Sequence, residues 1–103
     1  MNRPTLAGTY ARSGRMAGRR TGDRFVLVPL AGRGADLDSI LNVNEVAAFI
    51  WERLDGQATG ARVVDALVER FEVDRAQAET DYVDFIGTLL GLKAVVPARA
   101  SGR

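Results

Sequence analysis

Cysteine and histidine are both missing from this chain, and each absence removes a class of chemistry. Without thiols there are no disulfides, thiolate metal sites or cysteine nucleophiles. Without imidazole, the commonest general base and the commonest metal ligand are gone. Long apolar runs are absent too: none approaches the roughly 18 residues of a spanning helix, and the Met1-Asn2-Arg3-Pro4 start has no apolar signal region. The expectation is a soluble, cytoplasmic protein without membrane contact, a compartment that the lack of cysteine suits. No P-loop, dinucleotide-binding glycine fingerprint or metal-ligand cluster occurs, and Gly32-Arg33-Gly34 is a turn with no helix behind it. We therefore expect no catalysis, metal or cofactor.

What is present is enough for one domain. A length of 103 residues, 47% of them hydrophobic and 26% charged, permits a single core and argues against wholesale disorder. The charge is balanced in sum and uneven in place. Met1 to Ala35 carries seven Arg and one acid, Asp23, whereas Asp36 to Arg103 carries seven Lys or Arg and twelve Asp or Glu. The basic front has no interleaved aromatic platform in its sequence, which favours a solvated face over a nucleic-acid groove.

Residues 1–11 read as a mobile lead-in and 97–103 as a disordered tail, with the domain spanning 12–96. Arg24 to Leu30 is rich in β-formers and is preceded by a Thr21-Gly22-Asp23 hairpin turn, which places a first strand near Gly14 to Arg20. After the Gly32-Arg33-Gly34 turn, Asp36 to Leu41 forms the third strand. Three helices follow. Asn42 with Glu45 has capping-box spacing ahead of Val46, Ala47, Phe49, Ile50 and Leu54, and Asp55-Gly56 closes that helix. Thr59 caps a second, with Val63, Val64, Leu67, Val68 and Phe71 at helical intervals. Asp74 with Gln77 opens a third through Ala78, Tyr82, Phe85, Ile86 and Leu89, closed by Gly91 in a left-handed cap. Lys93 to Val96 is a short extended piece. Strands first and helices after give an α+β fold, a three-stranded antiparallel sheet followed by three helices, and the Asp55 to Thr59 connection makes it winged-helix-like.

Leu41-Asn42, Ala47, Ile50-Trp51, Leu54-Asp55-Gly56 and Thr59 stand in an order that resembles the PqqD-like family. The match extends through Val64, Leu67 and Phe71 to Asp81, Phe85-Ile86, Leu89 and Leu92, covering Val26 to Val96. The resemblance implies a RiPP recognition element, a peptide chaperone of natural product biosynthesis. Such domains bind the leader segment of a ribosomally made precursor peptide and present it to a modifying enzyme or leader protease. The leader typically adds as a strand to the third strand, beside the third helix. An exposed strand edge offers unpaired backbone groups, and a neighbouring helix offers side-chain pockets.

The expected peptide contacts are Leu37, Asp38, Ser39, Ile40 and Leu41 on the edge and Val83, Ile86 and Leu90 on the helix. With Tyr82, Phe85, Ile86 and Leu89 toward the core, a step of about 100° per residue puts Val83 and Leu90 on a flank beside it. The competing reading makes those two part of a wide core stripe, and Trp51 is a core anchor. Asp38-Ser39-Ile40 is more polar than the family's usual strand, and Val28-Pro29-Leu30-Ala31 lacks the Pro-Glu of quinone-cofactor proteins. Both departures favour a stand-alone recognition protein of another peptide pathway, a lasso-type cluster among the candidates.

Two rival functions are weaker. A winged-helix DNA reader would insert the second helix, where Arg62, Arg70 and Arg75 face Asp65, Glu69, Glu72 and Asp74, a net acidic set poorly suited to phosphate. An enzyme would have to use Asp81 and Asp84, which on an acidic amphipathic helix are a solvated face. An open strand edge also allows self-pairing into a homodimer.

Overall fold

The computed structural model describes residues 6–30 and 40–98. The chain runs β1 (Thr9–Arg12), β2 (Met16–Thr21), β3 (Arg24–Pro29), β4 (Leu41–Val43), α1 (Glu45–Glu52), β5 (Asp55–Thr59), α2 (Gly60–Phe71), α3 (Arg75–Gly91) and β6 (Val95–Ala98). This is an α+β fold of three helices and antiparallel sheets, a topology compatible with a winged helix.

One three-stranded sheet was expected and two are found. The first has the order β2-β3-β4. Its β2–β3 hairpin pairs Met16 with Pro29 through to Thr21 with Arg24, and Gly22 turns it at φ 64°, a left-handed conformation that glycine adopts at no steric cost. The second has the order β5-β1-β6 and draws on segments read as lead-in, interhelical turn and tail. Thr9 and Tyr10 of β1 are buried, so ordered structure begins inside 1–11, and β6 carries it to Ala98. The start of β6 falls within the expected Lys93 to Val96 extended piece, whereas β1 shows no local pattern, because it is held by partners far along the chain, at Thr59 and Ala98.

Helix boundaries follow the capping chemistry with one shift of register. Asn44, not Asn42, caps α1, its side-chain oxygen accepting from the Ala47 N–H at 2.8 Å, while Asn42 lies in β4. Thr59 caps α2 as expected, accepting from Arg62 N–H. Asp74 precedes α3 in extended conformation without a side-chain cap, and Gln77 donates instead to Asp81 at 2.8 Å. Helix α3 runs through Gly91, and the left-handed residue is Lys93, at φ 59°. Asp55 does not end a helix. It opens β5, accepting from the Gln57 and Ala58 N–H groups, bonds that hold its carboxyl below the usual range.

Helices and sheets share one core that includes Leu27, Ile50, Trp51, Val64, Leu67, Tyr82, Ile86 and Leu89. Each such Leu or Ile contributes about 1.5–3 kcal/mol by leaving water. Tyr82 is fully buried and its hydroxyl has no hydrogen-bond partner among the described residues. Burial, with a smaller effect from Tyr10, pushes its pKa up to about 12. Among the described residues no helix is long and apolar enough to cross a membrane.

Candidate functional site

Strand β4 is the edge of its sheet and, among the described residues, pairs only with β3. Leu41 stands opposite Leu27 and Val43 opposite Phe25. The period of two therefore turns Leu41 and Val43 toward the core side and leaves Asn42 exposed. The free side of such a strand presents N–H and C=O groups to any extended chain that approaches.

A shallow groove runs beside this edge, between the start of α1 and one flank of α3. One stretch, of about 240 Å³, is lined by Asn44, Val46, Ala47 and Ile50 from the α1 side and by Asp81, Asp84, Phe85 and Thr88 from α3. A second, of about 250 Å³, continues along Leu41, Asn42 and Val43 and shares Asn44, Ala47, Phe85 and Thr88. Phe85 gives the groove an apolar floor, and the Asp81 and Asp84 carboxylates give one wall negative charge. Asn44 both caps α1 and lines the groove, so the bond that starts the helix also fixes the groove's mouth. Among the described residues no group of three or more potential metal ligands comes together.

The expected site residues fall in three places. Leu37, Asp38 and Ser39 lie outside the described residues. Ile40 is exposed next to β4, and Leu41 lines the groove. On α3, Ile86 is fully buried, and Val83 and Leu90 are half-buried against the core, none of the three lining the groove.

Helical phase accounts for that division. With Tyr82 at the centre of the buried stripe of Ala78, Tyr82, Ile86 and Leu89 and about 100° per residue, Val83 and Leu90 fall on one side, while Phe85, Asp81 and Thr88 fall on the other. The groove is on the second side. The groove adds Asp81, Asp84, Phe85 and Thr88 to the expected residues, with Phe85 also packed against the core as its spacing predicts. The signal for them was an aromatic residue bordered at helical spacing by polar ones, with a short edge strand just ahead of a capped helix.

Comparison with known proteins agrees with the architecture. The sequence profile of the family described as coenzyme PQQ synthesis protein D (PqqD) matches residues 25–95. No curated protein matches the chain. Two solved structures are similar over nearly their whole lengths. One, TbiB1 in complex with the TbiA(beta) leader peptide, is 22% identical, covers 90% of this chain and 96% of its own, and superposes with a TM-score of 0.65. The other, lasso peptide synthetase B1 complexed with the leader peptide, is 25% identical, covers 85% and 98%, and has a TM-score of 0.68.

Proposed function

This chain belongs to the PqqD family, and on that premise we propose that it captures the leader segment of a ribosomally made precursor peptide and presents it to a modifying enzyme or leader protease. The observation that carries the reading is the coincidence of an edge strand with a groove. The leader would add as a strand along β4, its backbone satisfying the free edge. Alternate side chains would drop toward Phe85 and Ala47, and polar ones would meet Asn44, Asp81, Asp84 and Thr88. Similarity to a lasso peptide synthetase B1 complexed with a leader peptide supports the assignment.

On this reading the chain does no chemistry itself. Its contribution is positional: a flexible leader, once ordered, holds the attached core peptide at high local concentration near the enzyme. The DNA-binding alternative gains nothing from the structure, since the exposed side of α2 carries Asp65 and Glu69 beside Arg62 and Arg70, and mixed charge is poor for phosphate.

The test is a fluorescence-polarisation titration with labelled leader peptides from neighbouring precursor genes, a DNA duplex serving as control. Saturable peptide binding is expected, weakened by N-methylation at alternating leader positions because strand addition uses every second backbone N–H. Tight DNA binding, or peptide binding indifferent to N-methylation, would reject strand addition at this edge.

A further inference from the structure

The leader groove makes no use of the basic front of the sequence, yet the fold gathers one of its arginines, Arg20, with Arg53 and Arg70 around a single pocket. Arg12, Arg20, Arg53 and Arg70 lie over the rings of Trp51, Phe25, Phe49 and Phe71, with guanidinium carbons 5.9, 5.4, 3.5 and 4.7 Å from the ring centroids. Phe49 and Phe71 meet edge to face at 5.5 Å. Phe25 and Trp51 close over Gly18, where an added Cβ would come within 2.6 and 2.8 Å of them. A pocket of about 220 Å³ opens among Arg20, Glu45, Phe49, Arg53, Arg70 and Phe71.

Not all of this charge is free. Arg20 donates two hydrogen bonds to Glu45, at 3.0 and 3.2 Å. Among the described residues Arg53 and Arg70 have no ion-pair partner, and Arg53 donates only a long 3.4 Å bond to the Phe49 carbonyl. A guanidinium laid on a ring keeps its N–H edge available and loses little freedom when a carboxylate arrives.

Position gives the face its meaning. Helix α1 offers Val46, Ala47 and Ile50 to the leader groove and Glu45, Ala48, Phe49 and Glu52 to the arginine pocket. A protein seated on the second side lies next to a held leader without covering it.

We propose that this arginine–aromatic face docks a carboxylate-rich segment of the protein that acts on the leader, an inference that rests on leader capture in the groove. Nucleic acid fits less well, because Glu45 and Glu52 within the face repel a continuous phosphate backbone, whereas a protein segment spaces its carboxylates. A second copy of this chain fits less well too. Of the acids on its α2 and α3, Asp65 and Glu79 are already paired with Arg75, and Asp81 and Asp84 line the leader groove.

The experiment titrates the full chain with a short fluorescein-labelled peptide of Glu, Leu and Gly. Its Gln-for-Glu counterpart, a DNA duplex and the leader peptides are run in parallel. The Glu peptide is expected to bind and its Gln counterpart not. Arg53→Glu with Arg70→Glu should weaken Glu-peptide binding by about tenfold or more, and Glu52→Gln should strengthen it, as like and opposite charges dictate. Leader affinity should not change in either variant. Arg70→Glu alone, at an exposed position, gives the same direction if the double variant melts early.

Three results would overturn the proposal: Glu-peptide binding indifferent to the reversals, tighter binding of the duplex, or self-association of the wild type abolished by the same reversals. The two readings fail separately. A wild type that ignores every leader refutes capture, whereas reversal-insensitive Glu-peptide binding refutes the docking face.

Discussion

Helix α1 is only eight residues long and borders two surfaces of opposite character. On one side lies a groove with an apolar floor and acidic wall beside an open strand edge. On the other, arginines are stacked on aromatic rings. The first borders a strand that pairs on one side only among the described residues and carries little positive charge, which suits an extended peptide. The second has its backbone committed to the β2–β3 hairpin and to helices, and so can recognise a partner only through side chains. The contrast shows how a chain with a formal net charge of +1 can still carry one acidic groove wall and one cluster of arginines.

The most severe way to break the contrast is Gly18→Val. A side chain at this position collides with the Phe25 and Trp51 rings, and overpacking of this kind costs up to about 3 kcal/mol. We expect a lower denaturation midpoint and loss of Glu-peptide binding, with leader binding retained well below the new melting temperature. Equal loss of both activities would mean that the two faces are not independent.

Ala47→Gln attacks the other side. Ala47 is half-buried and lines both stretches of the groove, so a longer neutral side chain should fill it without disturbing the helix. Leader affinity should fall about 30-fold, the scale of an interface hot spot at about 2 kcal/mol, while thermal stability and Glu-peptide binding stay put. Asn44→Ala removes the cap that starts the shared helix. Chemical denaturation should show a loss of about 1 kcal/mol, and both titrations should weaken modestly.

The smallest expected effect belongs to Tyr82, which serves neither face. Its folded pKa lies near 12 against an ordinary 10.0. The native state therefore keeps the phenol proton over a range where the unfolded chain has released it. Proton linkage then makes stability fall as pH rises from about 10 to about 12. Tyr82→Phe should flatten that slope in alkaline melts. At neutral pH it should be close to neutral or slightly stabilising, since the buried hydroxyl it removes has no hydrogen-bond partner among the described residues.

Much of this fold could be read from the sequence where local chemistry decides. The β2–β3 hairpin, the Thr59 cap and the three apolar helix stripes all depend on near neighbours. The β5-β1-β6 sheet could not be read, because Thr9 to Arg12 has no pattern of its own and is ordered by residues at the opposite end of the chain. The edge-plus-helix location of the groove followed from the family resemblance. The flank of α3 did not: Val83 and Leu90 are more hydrophobic than Asp81 and Thr88, and hydrophobicity marks the core better than it marks a groove. The arginine face was missed for a related reason. Its arginines and rings are far apart in sequence, Arg12 and Arg20 in the front against Arg53 and Arg70 behind, over rings from β3, α1 and α2.

The most direct test of a two-faced recognition protein is to titrate a leader peptide into isotopically labelled protein and follow backbone amide shifts by NMR. The account predicts perturbations along Leu41 to Ala47 and at Asp81 to Thr88, with the Arg53 and Arg70 amides unmoved. Shifts concentrated at Arg20, Arg53 and Arg70, with β4 silent, would contradict it.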